Sequence, residues 1–464
     1  MKYSFANTTA SILLGAFALV GASQAQSNLM RNVDPTDANK LTPNAQLELN
    51  RIKSDSRISN VASVHLDSAA FNGNIVAINT GTTVVNLVKK FSEPTPDGGV
   101  SWAGQQDAYN YGVFYIKDGK ISGTVTTRNG TFQISPLQGD LHAIAKLDKQ
   151  LQQPKDESTQ IPAGGGQGTG NHPDSAPSGL ASPSLGADSA AAAVANPPVR
   201  ILVAYSAHAS ASLGSQLMPQ INQAIAQINL ANTNSSVAFR AVLAGTIQVN
   251  YTGPYTASDA LAAFRLMPDV LSAHDAQQAD LMVMLEAIPA NAEAGISAGI
   301  NVTAANAFAV VSTAYMTSNL AFAHEVGHLM GADHPQADTT QNVFRFGHGY
   351  WEWQAPVFGS AYAECAHTIM SYAVSQSNGV QPVFGNTLPQ CANDPRLAYW
   401  SSPTIYAHIP VGAPVILGGS LNDNAQVLNI TGPIVTNFHL TALAPTRVPP
   451  PRNPPCSVNP RLCA

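Results

Sequence analysis

The chain has 464 residues and a net charge of −6, with 11% charged and 45% hydrophobic residues. This length is enough for two domains with sizeable cores. Residues 199–440 contain thirteen acidic residues, five arginines and no lysine, so this region carries about −8. Such a charge argues against nucleic acid as a partner.

The N-terminus has the pattern of a secretory signal peptide. Lys2 precedes an apolar run at residues 12–22, and Ser23-Gln24-Ala25 follows it. We expect cleavage after Ala25, so that residues 1–25 are removed and the protein is secreted, with the periplasm as a stage in transit. The apolar run is shorter than the about 20 residues that span a bilayer, so we expect no membrane partner for the mature form. The alternative is an uncleaved anchor.

Residues 26–149 are predicted to form a β domain. Within them, apolar and polar side chains alternate in several short runs of residues 61–148, and Asp118-Gly119 and Asn129-Gly130 provide turns between the runs. This pattern predicts a small antiparallel β domain. Residues 150–198 are instead rich in Gly, Pro, Ala and Ser, which predicts an exposed linker that is open to proteolysis.

Residues 199–442 alternate between buried strands and amphipathic helices. Strands are predicted at 200–205, 239–243, 246–249 and 280–285, and helices at about 212–230 and 257–273. Such alternation predicts an α/β domain with a mixed, mainly parallel sheet and helices packed on it.

The stretch 323–335 of this second domain has the spacing of a metal site. His324 and His328 are four residues apart, so on a helix they share one face and can bind one ion, with Glu325 beside them. Gly331 can end the helix in the left-handed conformation and return His334 to the same ion. Three histidines with a fourth position open to water describe a catalytic rather than a structural zinc site.

The run His-Glu-x-x-His-x-x-Gly-x-x-His resembles the metzincin metallopeptidase signature, and Thr-Ile-Met-Ser-Tyr at 368–372 resembles the methionine turn of that family. The resemblance implies a structural role for Met370 below the site and a long zinc helix. It also implies that the strand at 307–312 is an antiparallel edge strand facing the cleft, where an extended peptide can pair. In astacins and serralysins the tyrosine that matches Tyr372 helps to stabilise the oxyanion; packing alone is the alternative here.

Within the metzincins, segments 396–403, 423–429 and 436–439 resemble the bacterial reprolysin-like group that includes peptidyl-Asp metalloendopeptidases. Pro335 follows the third histidine, where reprolysins usually carry Asp. The resemblance to peptidyl-Asp enzymes implies cleavage before acidic residues, with Arg345 or Arg396 as counter-charge. His348 and His367 are expected around the site rather than on the metal, because three histidines already supply the ligands.

These observations predict a secreted endopeptidase with one catalytic Zn²⁺, polypeptide substrates and Glu325 as general base. The alternatives are a catalytically inactive binding protein on the same fold, and an amidase that acts on cell-wall or small-molecule amides. Because residues 26–149 precede a protease domain, we expect a propeptide; an accessory domain kept in the mature enzyme is the alternative. A thiol switch is excluded, because no cysteine precedes Cys365. His172 and Asp174 of the linker are candidate capping ligands, with ordinary linker polarity as the alternative.

The four cysteines lie in the last quarter of the chain, and an even number in an exported protein predicts two disulfides. Pairing of neighbours would join Cys365 to Cys391 and Cys456 to Cys463; free thiols are the alternative. The proline-rich tail at 443–464 is expected to be extended and exposed.

Overall fold

A computed structural model describes residues 27–31, 40–81, 83–148, 158–159, 197–289, 292–336, 343–354, 364–371, 396–408 and 414–443. The predicted signal peptide and nearly all of the predicted linker and proline-rich tail lie outside the described residues. Among the helices of the described part of the chain, none is long and apolar enough to cross a membrane.

The N-terminal part forms a ten-stranded sheet, in the order β1-β4-β5-β6-β7-β8-β9-β10-β3-β2. All neighbouring strands are antiparallel except β1 and β4. The antiparallel β domain predicted from the alternating pattern is therefore present. The strands are β1 Ser27–Asn28, β2 Met30–Arg31, β3 Ile58–Leu66, β4 Ile75–Asn79, β5 Val84–Pro94, β6 Val100–Gln105, β7 Tyr111–Lys117, β8 Lys120–Thr127, β9 Gly130–Gln138 and β10 Leu141–Leu147, and helix α1 spans Pro43–Ser54.

The second part forms a six-stranded mixed sheet, in the order β11-β15-β16-β14-β12-β13. Strands β13, β12, β14 and β16 run parallel, β15 is antiparallel to β16, and β11 pairs parallel with β15. The strands are β11 Ser158–Thr159, β12 Val199–Ser206, β13 Ala241–Val249, β14 Leu281–Glu286, β15 Gly295–Ser297 and β16 Phe308–Ser312.

Helices α2 to α7 accompany this sheet, and two small hairpins follow the stretch 323–335 in sequence. The helices are α2 Ala207–Leu213, α3 Leu217–Asn234, α4 Ala257–Phe264, α5 Pro268–Gln277, α6 Ala321–Leu329 and α7 Asn424–Val435. Short 3-10 turns lie at Ser68–Asn72, Gly214–Gln216, Ala304–Asn306 and Phe438–Leu440. The hairpin strands are β17 Trp351–Gln354 with β18 Glu364–His367, and β19 Ser402–Ala407 with β20 Val415–Leu417.

Three details of the second part differ from the sequence-based expectations. Strand β16 is not an edge strand, because it lies between β14 and β15; all five of its residues are buried, as in an interior strand. Beyond β16 lies the antiparallel strand β15, and only the two-residue strand β11 pairs with its outer side. The helix expected over 257–273 is divided into α4 and α5, since Pro268 cannot continue a helix and instead starts a new one. The zinc helix α6 has nine residues and is not long.

The two sheets share buried contacts through α3 and the segment that precedes β19. Tyr111 and Val113 of the first sheet belong to the same apolar core as the second sheet. The Gln105 side-chain amide donates to the Tyr399 hydroxyl at 3.0 Å, and the Gln227 amide of α3 donates to the Thr124 hydroxyl at 3.3 Å. The first sheet therefore packs directly on the body that carries His324, His328 and His334.

Candidate active site

Helix α6 presents both histidines of the His-Glu-x-x-His run on one side. The rings of His324 and His328 lie 4.6 Å apart between centroids, at 86° to each other, and both side chains are fully buried. This is the arrangement expected for residues four apart on a helix. The helix starts after Leu320, which has a φ of +56°.

The turn at Gly331 brings the third histidine back, as the sequence predicted. Gly331 has a φ of +103°, and its N–H donates to the His328 carbonyl at 2.9 Å. A Cβ at this position would lie 2.9 Å from the Phe344 ring and 3.1 Å from the Val427 side chain. Both the conformation and the packing therefore require glycine.

The three histidines converge on one point. The Nε2 atom of His334 lies 3.0 Å from Nε2 of His324 and 3.0 Å from Nε2 of His328. Nitrogens on a tetrahedral zinc ion with bonds of about 2.0–2.1 Å are separated by roughly 3.3 Å. Among the residues that the structure describes, His324, His328 and His334 form the one group of this kind able to hold a metal ion.

The outer nitrogens of two of these rings define their tautomers. Nδ1 of His324 lies 2.8 Å from the Ile369 carbonyl, and Nδ1 of His328 lies 3.0 Å from the Ala332 carbonyl. A carbonyl only accepts, so each Nδ1 carries the proton and each Nε2 directs a lone pair at His334. A proton on His334 Nε2 could fully satisfy only one of these lone pairs, whereas a cation would satisfy both. The donor set therefore fits a zinc ion.

Met370 packs against helix α6 at Gly327. Its side chain is fully buried, and its sulfur is 2.8 Å from the point at which a Cβ on Gly327 would stand. The neighbouring Ile369 carbonyl is the acceptor for His324. The turn at 368–371 thus supports α6 by packing and also orients one of the three histidines.

Glu325 is fully buried and faces strand β15. A Cβ added to Gly295 would lie 2.8 Å from both Cγ and Oε1 of Glu325, and 2.9 Å from the Val310 carbonyl oxygen. Gly295 therefore provides the space for this carboxylate at the sheet edge. Nothing in the sequence around Gly295 indicates this contact, since it joins residues thirty positions apart.

His348 is a buried residue next to the third histidine. Its Nδ1–H donates to the His334 carbonyl at 2.9 Å. Burial lowers the pKa of His348, and the hydrogen bond to that carbonyl opposes the shift. His367 is also buried, and its carbonyl accepts from the Leu397 N–H at 2.9 Å. Neither belongs to the three-histidine group.

Several sequence-based assignments lie outside the described residues. Tyr372, Cys391, Cys456 and Cys463 are among them, as are His172 and Asp174 of the linker. The backbone of Cys365 lies in β18, but its side chain is not described. The oxyanion role and the disulfide pairs therefore stay predictions.

The two candidate counter-charges occupy different environments. Arg396 is buried, and its guanidinium donates to the Asn319 carbonyl at 3.0 Å. Arg345 is exposed and follows Phe344, whose ring contacts the end of the zinc helix at Gly331. Only Arg345 therefore has a side chain that an incoming molecule can reach.

Comparisons with known proteins agree with this site. The family model described as metallo-peptidase family M12 matches residues 196–381. A "Peptidyl-Asp metalloendopeptidase" of Stenotrophomonas maltophilia is 27% identical over 431 residues, which cover 87% of this chain and 92% of that protein. A protein of the same name from Xanthomonas campestris pv. campestris is 28% identical over 335 residues, covering 69% and 68%.

Among solved structures, metalloproteinase-II from Bacteroides fragilis matches with a TM-score of 0.36 and 13% identity, over 60% of this chain and 83% of that one. This TM-score is too low to establish a shared fold. The sequence matches and the three-histidine cluster together support a metzincin-like bacterial zinc metallopeptidase, a hydrolase of peptide bonds.

Proposed function

We propose that this chain is a secreted endopeptidase that binds one catalytic zinc ion through His324, His328 and His334. The observation that carries the proposal is the convergence of three buried Nε2 atoms, with two of the outer nitrogens held by carbonyls. Secretion rests on the sequence of residues 1–25.

Zinc at such a site supplies a Lewis acid that polarises the scissile carbonyl and lowers the pKa of water. Glu325 takes the proton from the attacking water and then passes it to the leaving amine, so one carboxylate serves both halves of the hydrolysis. Its location supports this role, because it follows a ligand directly in sequence and faces the edge strand β15.

Strand β15 is the proposed docking edge for an extended polypeptide. One side of β15 pairs with β16, so its other side has the backbone groups that a substrate can use. In this structure that side pairs with the linker residues Ser158 and Thr159. A substrate and the linker therefore compete for the same edge, and we propose that the full-length chain is a zymogen kept latent by this strand.

We further propose a preference for acidic side chains in the substrate, which the printed name of the relatives suggests. Arg345 is the candidate for recognition, because it is exposed and has no polar partner among the described residues. The other four arginines of residues 199–440 each donate to a protein acceptor: Arg200 to Gln277 and Gln278, Arg240 to Glu93, Arg265 to Asn306 and Arg396 to Asn319.

Cleavage of an unfolded protein such as reduced casein tests the proposed function. We expect the protein cut in the linker after Thr159 to cleave casein at internal peptide bonds. A zinc chelator should abolish this cleavage, and added zinc should restore it. Binding of casein without cleavage would instead support the inactive binding protein. Hydrolysis of small amides with no cleavage of casein would support the amidase.

A further inference from the structure

The third histidine is placed by the peptide of Asp333 rather than by the helix. The Asp333 carboxylate accepts from the His334 N–H at 2.7 Å. The Asp333 N–H donates to the Gly347 carbonyl at 2.9 Å, and its carbonyl accepts from the Gly349 N–H at 2.8 Å. The position of His334 therefore depends on these hydrogen bonds of Asp333.

Asn424, the first residue of α7, binds the backbone of Asp333 through its side-chain carboxamide. Its Oδ1 accepts from the Asp333 N–H at 3.2 Å, and its Nδ2 donates to the Asp333 carbonyl at 3.3 Å. The side chain is fully buried. One carboxamide thus contacts both backbone polar groups of the residue next to a metal ligand.

Further hydrogen bonds connect Asn424 to His334 through Ser401 and His348, so that these residues and Asp333 form a ring. The Asn424 N–H donates to the Ser401 hydroxyl at 3.0 Å, and that hydroxyl donates to the His348 carbonyl at 2.6 Å. The His348 ring in turn donates to the His334 carbonyl at 2.9 Å. Every member of this ring is buried, so loss of one bond is not compensated by water.

We propose that Asn424 is a positioning residue for His334, so that the N-terminus of α7 fixes the third metal ligand. This inference rests on the proposed zinc site. Removal of a residue that orients a metal ligand through hydrogen bonds typically weakens metal affinity by roughly 10- to 100-fold. Without the carboxamide, the peptide of Asp333 loses two contacts and His334 is less well fixed.

The test compares Asn424→Ala with Asn229→Ala in the full-length chain. Asn229 of α3 makes the same pair of side-chain hydrogen bonds to a backbone residue: its Oδ1 accepts from the Ala241 N–H at 2.8 Å, and its Nδ2 donates to the Ala241 carbonyl at 3.0 Å. It is also buried, but it touches no metal ligand. The two variants therefore lose equivalent bonds at equivalent burial.

The zinc dissociation constant is measured by competition with a chromophoric chelator, and the unfolding midpoint is measured on the metal-free protein. We expect both variants to unfold at lower temperature, with zinc affinity falling roughly 10- to 100-fold only in Asn424→Ala. The absorption spectrum of the Co²⁺-substituted protein should change in the same variant alone, because it reports the arrangement of the ligands.

Equal weakening of zinc binding in both variants would assign the effect to general destabilisation and overturn the inference. Unchanged affinity in Asn424→Ala would overturn it as well, while leaving the zinc site intact. A wild-type chain that binds no zinc would refute the proposed function and this inference together. If Asn424→Ala does not fold, Asn424→Asp keeps the acceptor and loses the donor; unchanged zinc affinity in this variant would also refute the inference.

Discussion

Replacing Gly295 with Ala tests the placement of the proposed general base without changing any zinc ligand. The added Cβ would stand 2.8 Å from Cγ and Oε1 of Glu325, whereas an ordinary contact is 3.4–4 Å. The Val310 carbonyl, 2.9 Å from the added Cβ, is backbone of the neighbouring strand β16 and cannot easily move. The Glu325 carboxylate must therefore retreat by about 0.6 Å, at an overpacking cost of roughly 1–3 kcal/mol.

A displacement of this size should lower kcat by roughly 10- to 100-fold, since a misplacement of about 1 Å can cost about 10²-fold. The assay is hydrolysis of a fluorogenic peptide by the linker-cut protein, with zinc content measured on the same sample. Zinc content should stay at the wild-type level, because the three histidines are untouched.

Gly123→Ala is the overpacking control, because a Cβ there would lie 2.3 Å from the Phe114 ring and 2.8 Å from the Val113 carbonyl, both in the first sheet. We expect this control to lose stability and to keep its turnover per folded molecule. Wild-type kcat in a folded Gly295→Ala protein would refute the placement of Glu325 against β15. An equal loss in both variants would show that overpacking alone explains the effect.

Four further predictions concern the same site. Glu325→Gln should retain zinc and lose roughly 10²- to 10⁴-fold in turnover; near-normal turnover would remove Glu325 as the base. Tyr372→Phe should lower peptide turnover by about 10²- to 10³-fold with little change in stability, and unchanged turnover would reduce Tyr372 to a packing residue. Arg345→Ala should raise KM for peptides with an acidic residue at the cleavage site and leave neutral peptides unaffected, whereas equal effects on both would exclude this recognition. Cutting the linker after Thr159 should increase peptide hydrolysis; equal activity before and after the cut would rule out latency.

The sequence was informative where the chemistry is local. His324, His328, Gly331 and His334 lie within eleven positions, so helix geometry and one left-handed turn were enough to predict that they converge. Met370 was placed by a resemblance, and the structure puts its sulfur against the zinc helix.

The contacts that complete the site are distant in sequence and carry no local signal. Gly295 faces Glu325 through the pairing of β15 with β16, and Asn424 reaches Asp333 across ninety residues. The edge strand was assigned wrongly because the apolar run of β16 is prominent in sequence, while β15 has three residues and starts with glycine. Which strand lies at an edge depends on the order of strands in the sheet, and periodicity does not report that order.

A short series of hydrogen bonds joins the first sheet to His324. Gln105 donates to the Tyr399 hydroxyl, the Tyr399 carbonyl accepts from the Ile369 N–H at 3.0 Å, and the Ile369 carbonyl holds His324. Together with the shared apolar core, these contacts make the first sheet a support of the site as well as its neighbour.

The proposed blocking and the support of the site therefore belong to different residues of the chain. The pairing that occupies β15 involves only Ser158 and Thr159, whereas the contacts to Tyr399 and α3 come from the sheet itself. A two-residue strand gains little from its own hydrogen bonds and depends on being tethered at high effective concentration. A cut after Thr159 removes one of its two tethers and leaves the buried interface of the first sheet unchanged. Under the proposed latency, opening of the cleft requires only that this two-residue strand leaves β15. A propeptide that blocks and an accessory domain that stays are then compatible roles for one chain.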